Sequence, residues 1–315
     1  MPTTQDLHPA MRNWLARIGA LAMVYPQSGP QGPGMSVADR RLTYRDSCGL
    51  IDGEPVPGVR IQELSIPLTD RTLGARRYQP QSRGADSLMA YFHGGGWVVG
   101  DLDSHDRLCA YLAKQLGATV VSVDYRRSPE HGAAAICGDA VEATAWLQSQ
   151  LSSFGCKRLV TGGDSSGAHL AAWAAHAHPQ AVQSMLLLYP VVRRQFDSLS
   201  FRERGSGPGL TRDGMSWFWQ QFMQADVDLD DPRQDLTCLW LAAPAPPPAT
   251  LVAAWHDPLH DDAVLLADHL RARGGAVQWH QAMDMPHGFA RYLGVEPAAR
   301  EHLDRALEAF SQLPT

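Results

Sequence analysis

Short apolar segments alternate with helical patterns over most of the sequence, and this alternation limits the fold more than any other feature. Buried strands that alternate with helices are typical of a mostly parallel sheet covered on both faces. The sequence therefore predicts an α/β fold, with a mostly parallel eight-stranded sheet flanked by helices. The strand candidates are RIQELSIPL, GARRYQP, LMAYFHG, ATVVSVDY, RLVTG, SMLLLYP, TLVAAW and AVQWHQA.

The alternation stops once, between the strand candidates SMLLLYP and TLVAAW. Some sixty residues lie there, which is too long for a simple connection, so we expect an insertion with its own helix. Its segment MSWFWQQFM places four apolar side chains on one helical face, those of Met215, Phe218, Trp219 and Phe222. Such a face either packs onto the core or forms an apolar lid over a site at the carboxyl ends of the strands.

We expect two structural parts from this organisation. Residues 55–195 and 235–315 form the α/β core. Residues 1–54, which begin with a helical stretch, and residues 196–234 of the insertion form a helical cap over the active site.

A G-x-S-x-G pentapeptide from Gly163 to Gly167 joins a predicted strand to a predicted helix. This is the context of a nucleophile elbow, which needs glycines because the strained turn brings backbone close to backbone. Ser165 would project from the turn with its Oγ exposed. The N–H of Ser166, at the helix start, is placed to stabilise an oxyanion. The pentapeptide alone is a weak signal, because similar turns are common, so it needs partners elsewhere in the chain.

Three consecutive glycines, Gly94 to Gly96, follow the strand candidate LMAYF and His93, and precede Trp97. As a flexible turn they would cost backbone entropy, and a simple turn rarely needs so many. The alternative is an HGGG-type loop whose N–H groups point at a developing negative charge. A phosphate-binding loop is disfavoured, because no Gly-Lys-Ser/Thr follows.

An acid and a histidine complete the pattern. Asp257 directly follows TLVAAW, whereas Asp261 is explained by capping of the next helix and is the reserve candidate. Among thirteen histidines, His287 lies in a Pro/Gly loop after the last strand candidate, while His280 lies within that strand and is expected to be packed. The chain order Ser165, Asp257, His287 is that of the α/β-hydrolase triad.

The same segment has a competing interpretation as a metal site formed by His256, Asp257, His260 and Asp261. The two histidines are four positions apart, but Pro258 interrupts any helix that would align them. We therefore expect neither a metal ion nor another cofactor.

Charge and cysteine content exclude several other classes. A formal net charge of -6 provides no basic surface for nucleic acid. Five cysteines without a C-x-x-C pair suggest reduced thiols in a cytoplasmic protein. The N-terminus does not resemble a secretory signal, and four prolines in the uncharged segment Thr237 to Trp255 would break a membrane-spanning helix.

On these motifs the chain resembles the bacterial branch of the hormone-sensitive-lipase family of carboxylesterases, within the α/β-hydrolase fold. The resemblance runs from about residue 55 to the C-terminus and implies a triad of Ser165, Asp257 and His287. The sequence departs from the family at Ala168, where a further glycine is common. The motifs that carry the resemblance are HGGGWVVGDLDSHD, VDYRRSPEH, GGDSSGAHLAA, LTRDGMSWFW, PPPATLVAAWHDPLHDD and HGF.

The resemblance also implies backbone oxyanion donors at Gly95, Gly96 and Ser166, with His93 and Gly94 shaping the loop. It implies hydrolysis of a small-molecule ester through an acyl-enzyme, and it suggests a homodimer. An apolar wall in the cap suggests short- to medium-chain acyl groups. The residues expected to line the substrate pocket are Trp97, Asp164, Met215, Phe218 and Trp219.

Two other functions stay open on the sequence. An amidase or deacetylase would use the same triad, and only a panel of substrates separates it from an esterase. A non-catalytic small-molecule binding module is the other, because the family includes a plant hormone receptor without hydrolase activity. That receptor lacks the catalytic histidine, whereas His287 is present here within a complete H-G-F.

Overall fold

The computed structural model describes residues 6–24, 36–82, 84–207, 209–224, 231–242 and 244–314. An eight-stranded sheet forms its centre, as predicted. The strands are β1 Val59–Pro67, β2 Thr72–Pro80, β3 Ser87–Phe92, β4 Thr119–Asp124, β5 Arg158–Asp164, β6 Val182–Leu188, β7 Ala249–His256 and β8 Val277–Pro286.

The strand order is β1-β2-β4-β3-β5-β6-β7-β8. Strand β2 pairs antiparallel with β1 and β4, and all the other neighbouring strands are parallel. The predicted mostly parallel sheet is therefore confirmed. Parallel strands place their carboxyl ends at one edge, so the loops after β3, β5, β7 and β8 meet there.

The sequence also predicts five helices in the core, and each agrees with the structure to within two residues at either end. Their candidate segments are HDRLCAYLAKQL, AAAICGDAVEATAWLQSQL, SGAHLAAWAAHA, DDAVLLADHLRAR and PAAREHLDRALEAFSQL. The one after β5 begins and ends where the sequence indicates, because a glycine-rich turn precedes it. The helices are α1 Pro9–Val24, α2 Val37–Ile51, α3 Asp106–Leu116, α4 Ala133–Ser149, α5 Ser166–Ala177, α6 Leu199–Arg204, α7 Arg212–Met223, α8 His260–Ala272 and α9 Pro297–Ser311.

Helices cover both faces of the sheet, and the side chains of β3 show why. Leu88 and Phe92 belong to the apolar cluster that contains α4, α5 and α8. Met89 and Tyr91 belong to the opposite cluster, which contains α3 and α9. Because successive side chains of a strand point to opposite faces, a strand buried on both faces is apolar throughout.

Helix α2 was missing from the predicted elements, since its buried positions form no apolar stripe. Its start has a recognisable cap, because the Ser36 hydroxyl accepts from the N–H of Asp39 at 3.1 Å. The buried residues of this helix are Arg40, Thr43, Ser47, Cys48 and Ile51.

Arg41 joins α2 to the core. Its Nε donates to the carbonyl of Val98 at 2.9 Å, and a terminal nitrogen donates to the carbonyl of Ser128 at 3.0 Å. The same guanidinium pairs with Glu130 at 2.7 Å. Of the predicted cap, residues 1–5, 25–35, 208 and 225–230 lie outside the described residues, and the division into core and cap stays a prediction.

Within the described ranges, none of the helices combines the length and apolar character needed to cross a bilayer.

Substituting Gly167 tests the close packing at the start of α5. A Cβ there would overlap the carbonyl oxygen of Phe92, so we expect Gly167→Ala to lower the free energy of unfolding by about 1–3 kcal/mol. The control is Gly138→Ala inside α4, where a Cβ meets only the Glu142 side chain at 3.8 Å. That variant should gain up to about 1 kcal/mol. Urea unfolding measures both, and equal effects would contradict the packing argument.

Candidate active site

Ser165 lies in the turn between β5 and α5, with φ 54° and ψ -119°. Side chains other than glycine rarely adopt a positive φ, so surrounding contacts must hold the turn. The Ser165 N–H donates to the carbonyl of Leu188 at 2.9 Å, and its own carbonyl accepts from the N–H of Val191 at 3.1 Å. Both bonds come from the end of β6 or the loop after it, so this strand fixes the position of the turn.

The structure brings together the three residues that the sequence analysis chose as a triad. Each directly follows a parallel strand: Ser165 follows β5, Asp257 follows β7, and His287 follows β8. The Ser165 Oγ lies 2.9 Å from Nε2 of His287, and Nδ1 of the same ring lies 2.6 Å from Asp257 Oδ2.

The partners of Asp257 indicate the direction of these hydrogen bonds. Asp257 is buried, and its other oxygen accepts from the N–H of Leu259 at 2.8 Å. An ionised carboxylate only accepts, so Nδ1 of His287 carries the hydrogen. Nε2 is then free to accept from the hydroxyl of Ser165.

The glycine loop after β3 has two N–H groups with internal acceptors. Gly94 donates to Asp164 Oδ1 at 2.9 Å, and Trp97 donates to the hydroxyl of Ser166 at 3.2 Å. The N–H groups of Gly95 and Gly96 donate to no acceptor in the described part of the chain. Gly95 has φ 122°, and a Cβ there would overlap the carbonyl of Val99, so a glycine is required at this position.

Asp164 holds that loop against the serine turn. Its Oδ1 also accepts from the Tyr91 hydroxyl at 2.8 Å, and its Oδ2 lies 3.4 Å from Nε2 of His105. Burial favours a raised pKa, but the neighbouring His105 and the hydrogen bonds from Tyr91 and Gly94 prevail and lower the pKa of Asp164 to about 2. The carboxylate is therefore charged at neutral pH.

His93 supports the loop at its start. Burial, together with the neighbouring His105, lowers the pKa of His93 to about 3, so its ring is neutral. Its Nδ1 lies 2.9 Å from the carbonyl of Gly94, to which it donates. Tyr125 stacks on the ring at 4.4 Å and donates its hydroxyl to the His93 carbonyl at 2.6 Å.

A cavity of about 480 Å³ opens above Ser165 and His287. Three of the predicted pocket residues, Asp164, Met215 and Phe218, are part of its wall. Helices α1 and α2 also contribute to the wall. Other lining residues from these helices and the segment before α7 are Leu15, Ile18, Arg40, Thr43, Tyr44, Ser47, Leu210 and Thr211.

Trp97 and Trp219, also predicted for the pocket, do not line this cavity. Both are fully buried, with ring centroids 4.7 Å apart. Phe222 stacks on Trp97 at 4.0 Å, and His169 meets both tryptophans edge-on. Helical spacing predicts Phe218 and Trp219 on one face of α7. That face is wide, so Phe218 borders the cavity while Trp219 packs in the core.

The competing candidates in the segment after β7 lie in other contacts. Asp261 accepts from the N–H of Ser200 at 2.9 Å and lies 3.0 Å from Nδ1 of His260, so it contacts α6. In the described ranges, no group of three or more His, Cys, Asp or Glu side chains is placed to hold a metal ion.

Sequence reasoning missed Tyr91, His105 and Tyr125, which hold the loop. Tyr91 and Tyr125 occur at the ends of apolar runs, where an aromatic side chain indicates only a strand. Their partners are 73 and 32 positions away, so no local pattern identifies them.

Acid should weaken folding through His169. Its burial lowers the pKa of the ring to about 4, while an unfolded histidine titrates near 6.5. The unfolded state therefore binds more protons between these values, and stability falls as pH decreases from about 6.5 toward 4. Between pH 8 and pH 5, the free energy of unfolding should fall by roughly 1–2 kcal/mol less in His169→Gln than in the wild type. Urea unfolding at the two pH values measures this difference.

Glutamine retains a donor for the Arg233 carbonyl, which His169 Nε2 reaches at 3.0 Å, but does not titrate. The pH 8 measurement is the control for packing. An identical loss between pH 8 and pH 5 in both proteins would contradict the prediction.

Known proteins share both the sequence and the fold. The sequence model of a family described as alpha/beta hydrolase fold matches residues 89–291. An ethyl acetate hydrolase of Pseudomonas putida is 35% identical over 285 residues, which cover 87% of this chain and 89% of that protein. The carboxylic ester hydrolase LipN of Mycobacterium tuberculosis is 36% identical, covering 88% and 78%. A hyperthermophilic esterase from Pyrobaculum calidifontis superposes with a TM-score of 0.84 at 29% identity, covering 98% of each chain.

Proposed function

Since the chain belongs to the hormone-sensitive-lipase-like carboxylesterases of the α/β-hydrolase fold, we propose that it hydrolyses short- to medium-chain acyl esters with Ser165 as nucleophile. It is a carboxylic ester hydrolase, like these two relatives, which align with it over most of their length. The observation that carries the proposal is the hydrogen-bonded series from Ser165 through His287 to Asp257, at 2.9 and 2.6 Å.

Acylation begins when Ser165 Oγ attacks the ester carbonyl and Nε2 of His287 takes its proton. The buried carboxylate of Asp257 keeps the imidazole in the required tautomer and stabilises the imidazolium. The N–H groups of Gly95, Gly96 and Ser166 bind the tetrahedral oxyanion. Losing one such donor typically costs on the order of 100-fold or more in rate.

The intermediate then collapses, and His287 gives its proton to the leaving alcohol. Water attacks the resulting acyl-enzyme with His287 as the base, which releases the acid and restores Ser165. Asp164 and His93 act through the glycine loop, so we assign them positioning roles.

The size and lining of the cavity support a preference for short acyl groups. Met215, Phe218 and Leu210 border a cavity of about 480 Å³, in the lower half of the range of small-molecule pockets, and the acyl group shares this volume with the alcohol. One relative is named for ethyl acetate, an ester with a two-carbon acyl group. The walls from α1, α2 and α7 support a cap formed by residues 1–54 and 196–234.

Assembly and location stay predictions. A homodimer would be consistent with the position of β8 at the end of the sheet, where its outer edge pairs with no other strand in the described ranges. The cytoplasmic location has the sequence as its only support.

The first test measures hydrolysis of p-nitrophenyl esters from acetate to decanoate by wild type and by Ser165→Ala. Wild type should turn over esters with a maximum at a short chain, and Ser165→Ala should lose at least about 10⁴-fold in kcat. Ser184→Ala, a buried serine in β6, is the matched control and should retain activity. Undiminished turnover by Ser165→Ala would exclude it as the nucleophile.

The acyl chain length that the enzyme prefers should depend on Phe218. Phe218→Leu shortens a side chain of the wall and so enlarges the cavity. Each additional methylene group of the acyl chain that is buried there contributes about 0.8 kcal/mol to binding. We expect the ratio of kcat/KM for octanoate to that for butyrate to rise by roughly three- to tenfold. Phe201→Leu in α6, away from the cavity, should leave this ratio unchanged while lowering Tm. A similar ratio in both variants would show that Phe218 does not limit the acyl chain.

A further inference from the structure

The guanidinium of Arg291 is a charged group in the cavity that ester hydrolysis does not use. This residue belongs to the 3-10 turn Phe289–Gly294, just after His287, and lines the cavity with Ser165. Its guanidinium lies over the ring of Tyr44, with Cζ 4.3 Å from the centroid. A terminal nitrogen donates to Cys48 Sγ at 2.7 Å.

Neither of these neighbours supplies a negative charge. Burial raises the pKa of the Cys48 thiol and of the Tyr44 hydroxyl, so both are neutral at pH 7. Among the described residues Arg291 forms no ion pair with a carboxylate, and its Nε has no hydrogen-bond partner. Buried charges are normally paired, because removing them from water is costly. Arg291 therefore has unused capacity to bind an anion.

The nearby carboxylates do not fill this role. Asp164 lines the cavity, but Tyr91 and Gly94 donate to one of its oxygens and His105 lies against the other. Asp52 is also close enough to interact with Arg291, but it caps the end of α2 and does not line the cavity.

Arginines outnumber carboxylates among the residues that line the cavity, although the chain as a whole carries a net charge of -6. Its charged lining residues are Arg40, Arg291 and Asp164, in addition to the titratable His287. The Arg40 guanidinium stacks on Trp217 with Cζ 4.1 Å from the ring centroid, and it belongs to the same helix as Tyr44. A cationic wall of this kind favours substrates that carry a negative charge.

We propose that Arg291 binds a carboxylate on the substrate, so that the preferred substrates are short esters that also carry a free carboxylate. The inference rests on the proposed hydrolysis at Ser165 and adds the charge of the substrate. A guanidinium offers a planar pair of donors that matches the two oxygens of a carboxylate. Its stacking on Tyr44 holds that plane in place before the ligand binds, which reduces the entropy lost on binding.

Two pairs of esters test the proposal, each differing by a carboxylate in place of a terminal methyl group. Monoethyl glutarate against ethyl pentanoate places the charge on the acid part. 4-Acetoxybutanoate against butyl acetate places it on the alcohol part. In at least one pair we expect the wild type to have a higher kcat/KM for the charged ester.

Substitution of Arg291 should remove this preference. In Arg291→Gln the ratio of kcat/KM for the charged ester to that for its neutral partner should fall by about 10- to 100-fold, mainly through KM, as expected for a lost charge-assisted hydrogen bond. Arg291→Lys retains the charge without the paired donors and should give an intermediate ratio. Added salt should weaken the wild-type preference.

A purely structural role for Arg291 predicts a different result. Loss of its contacts with Tyr44 and Cys48 would lower Tm and the kcat/KM of both esters in parallel, with an unchanged ratio. That outcome, or a wild type without preference for either charged ester, would overturn the inference while leaving ester hydrolysis intact.

A binding measurement separates this inference from the proposed function. Calorimetric titration of Ser165→Ala with glutarate and 4-hydroxybutanoate needs no turnover, and the double variant with Arg291→Gln is the control. We expect at least one of the two acids to bind in an Arg291-dependent way. If such binding is found but the wild type hydrolyses none of the four esters, the hydrolysis proposal fails and the carboxylate site stands. If neither acid binds, the carboxylate site is refuted.

Discussion

The carboxylate of Asp164 connects the two halves of the site. It accepts from Tyr91 in β3 and from Gly94 in the loop that follows, while its own backbone leads directly into Ser165. A charge in this buried position interacts strongly with its donors, because little water screens it. The glycine loop and the serine turn are therefore held at a fixed separation before a substrate binds, which is the arrangement that stabilises a developing oxyanion with least reorganisation.

The strained turn at Ser165 is held by the sheet itself. Its positive φ is unfavourable for a serine, but the N–H of Ser165 bonds to Leu188 and its carbonyl bonds to Val191, so hydrogen bonds hold both backbone groups of the residue. Since Asp257 and His287 directly follow two further parallel strands, the spacing of strands sets the spacing of all three side chains. Side chains that a sheet positions are held more precisely than side chains on free loops.

Local patterns account for what the sequence predicts correctly. Alternating apolar runs define the sheet, and the glycines around Ser165 define where β5 ends and α5 begins. The sequence could not predict that Phe218 lines the cavity while Trp219 is buried in the core, because both side chains are apolar and only the surrounding packing distinguishes them. Helix α2 was missed for the opposite reason, since its buried face is polar. Arg291 gave no signal, because its neighbour Cys48 lies 243 positions away.

The contacts of Arg41 have a mechanical consequence for the cavity. One side chain joins α2, which forms a wall, to the carbonyls of Val98 and Ser128 beside the glycine loop. A displacement of α2 away from the sheet would pull on that loop and disturb the alignment of its N–H groups. Opening the cavity by moving α2 would therefore require these two hydrogen bonds to break or the glycine loop to move with the helix.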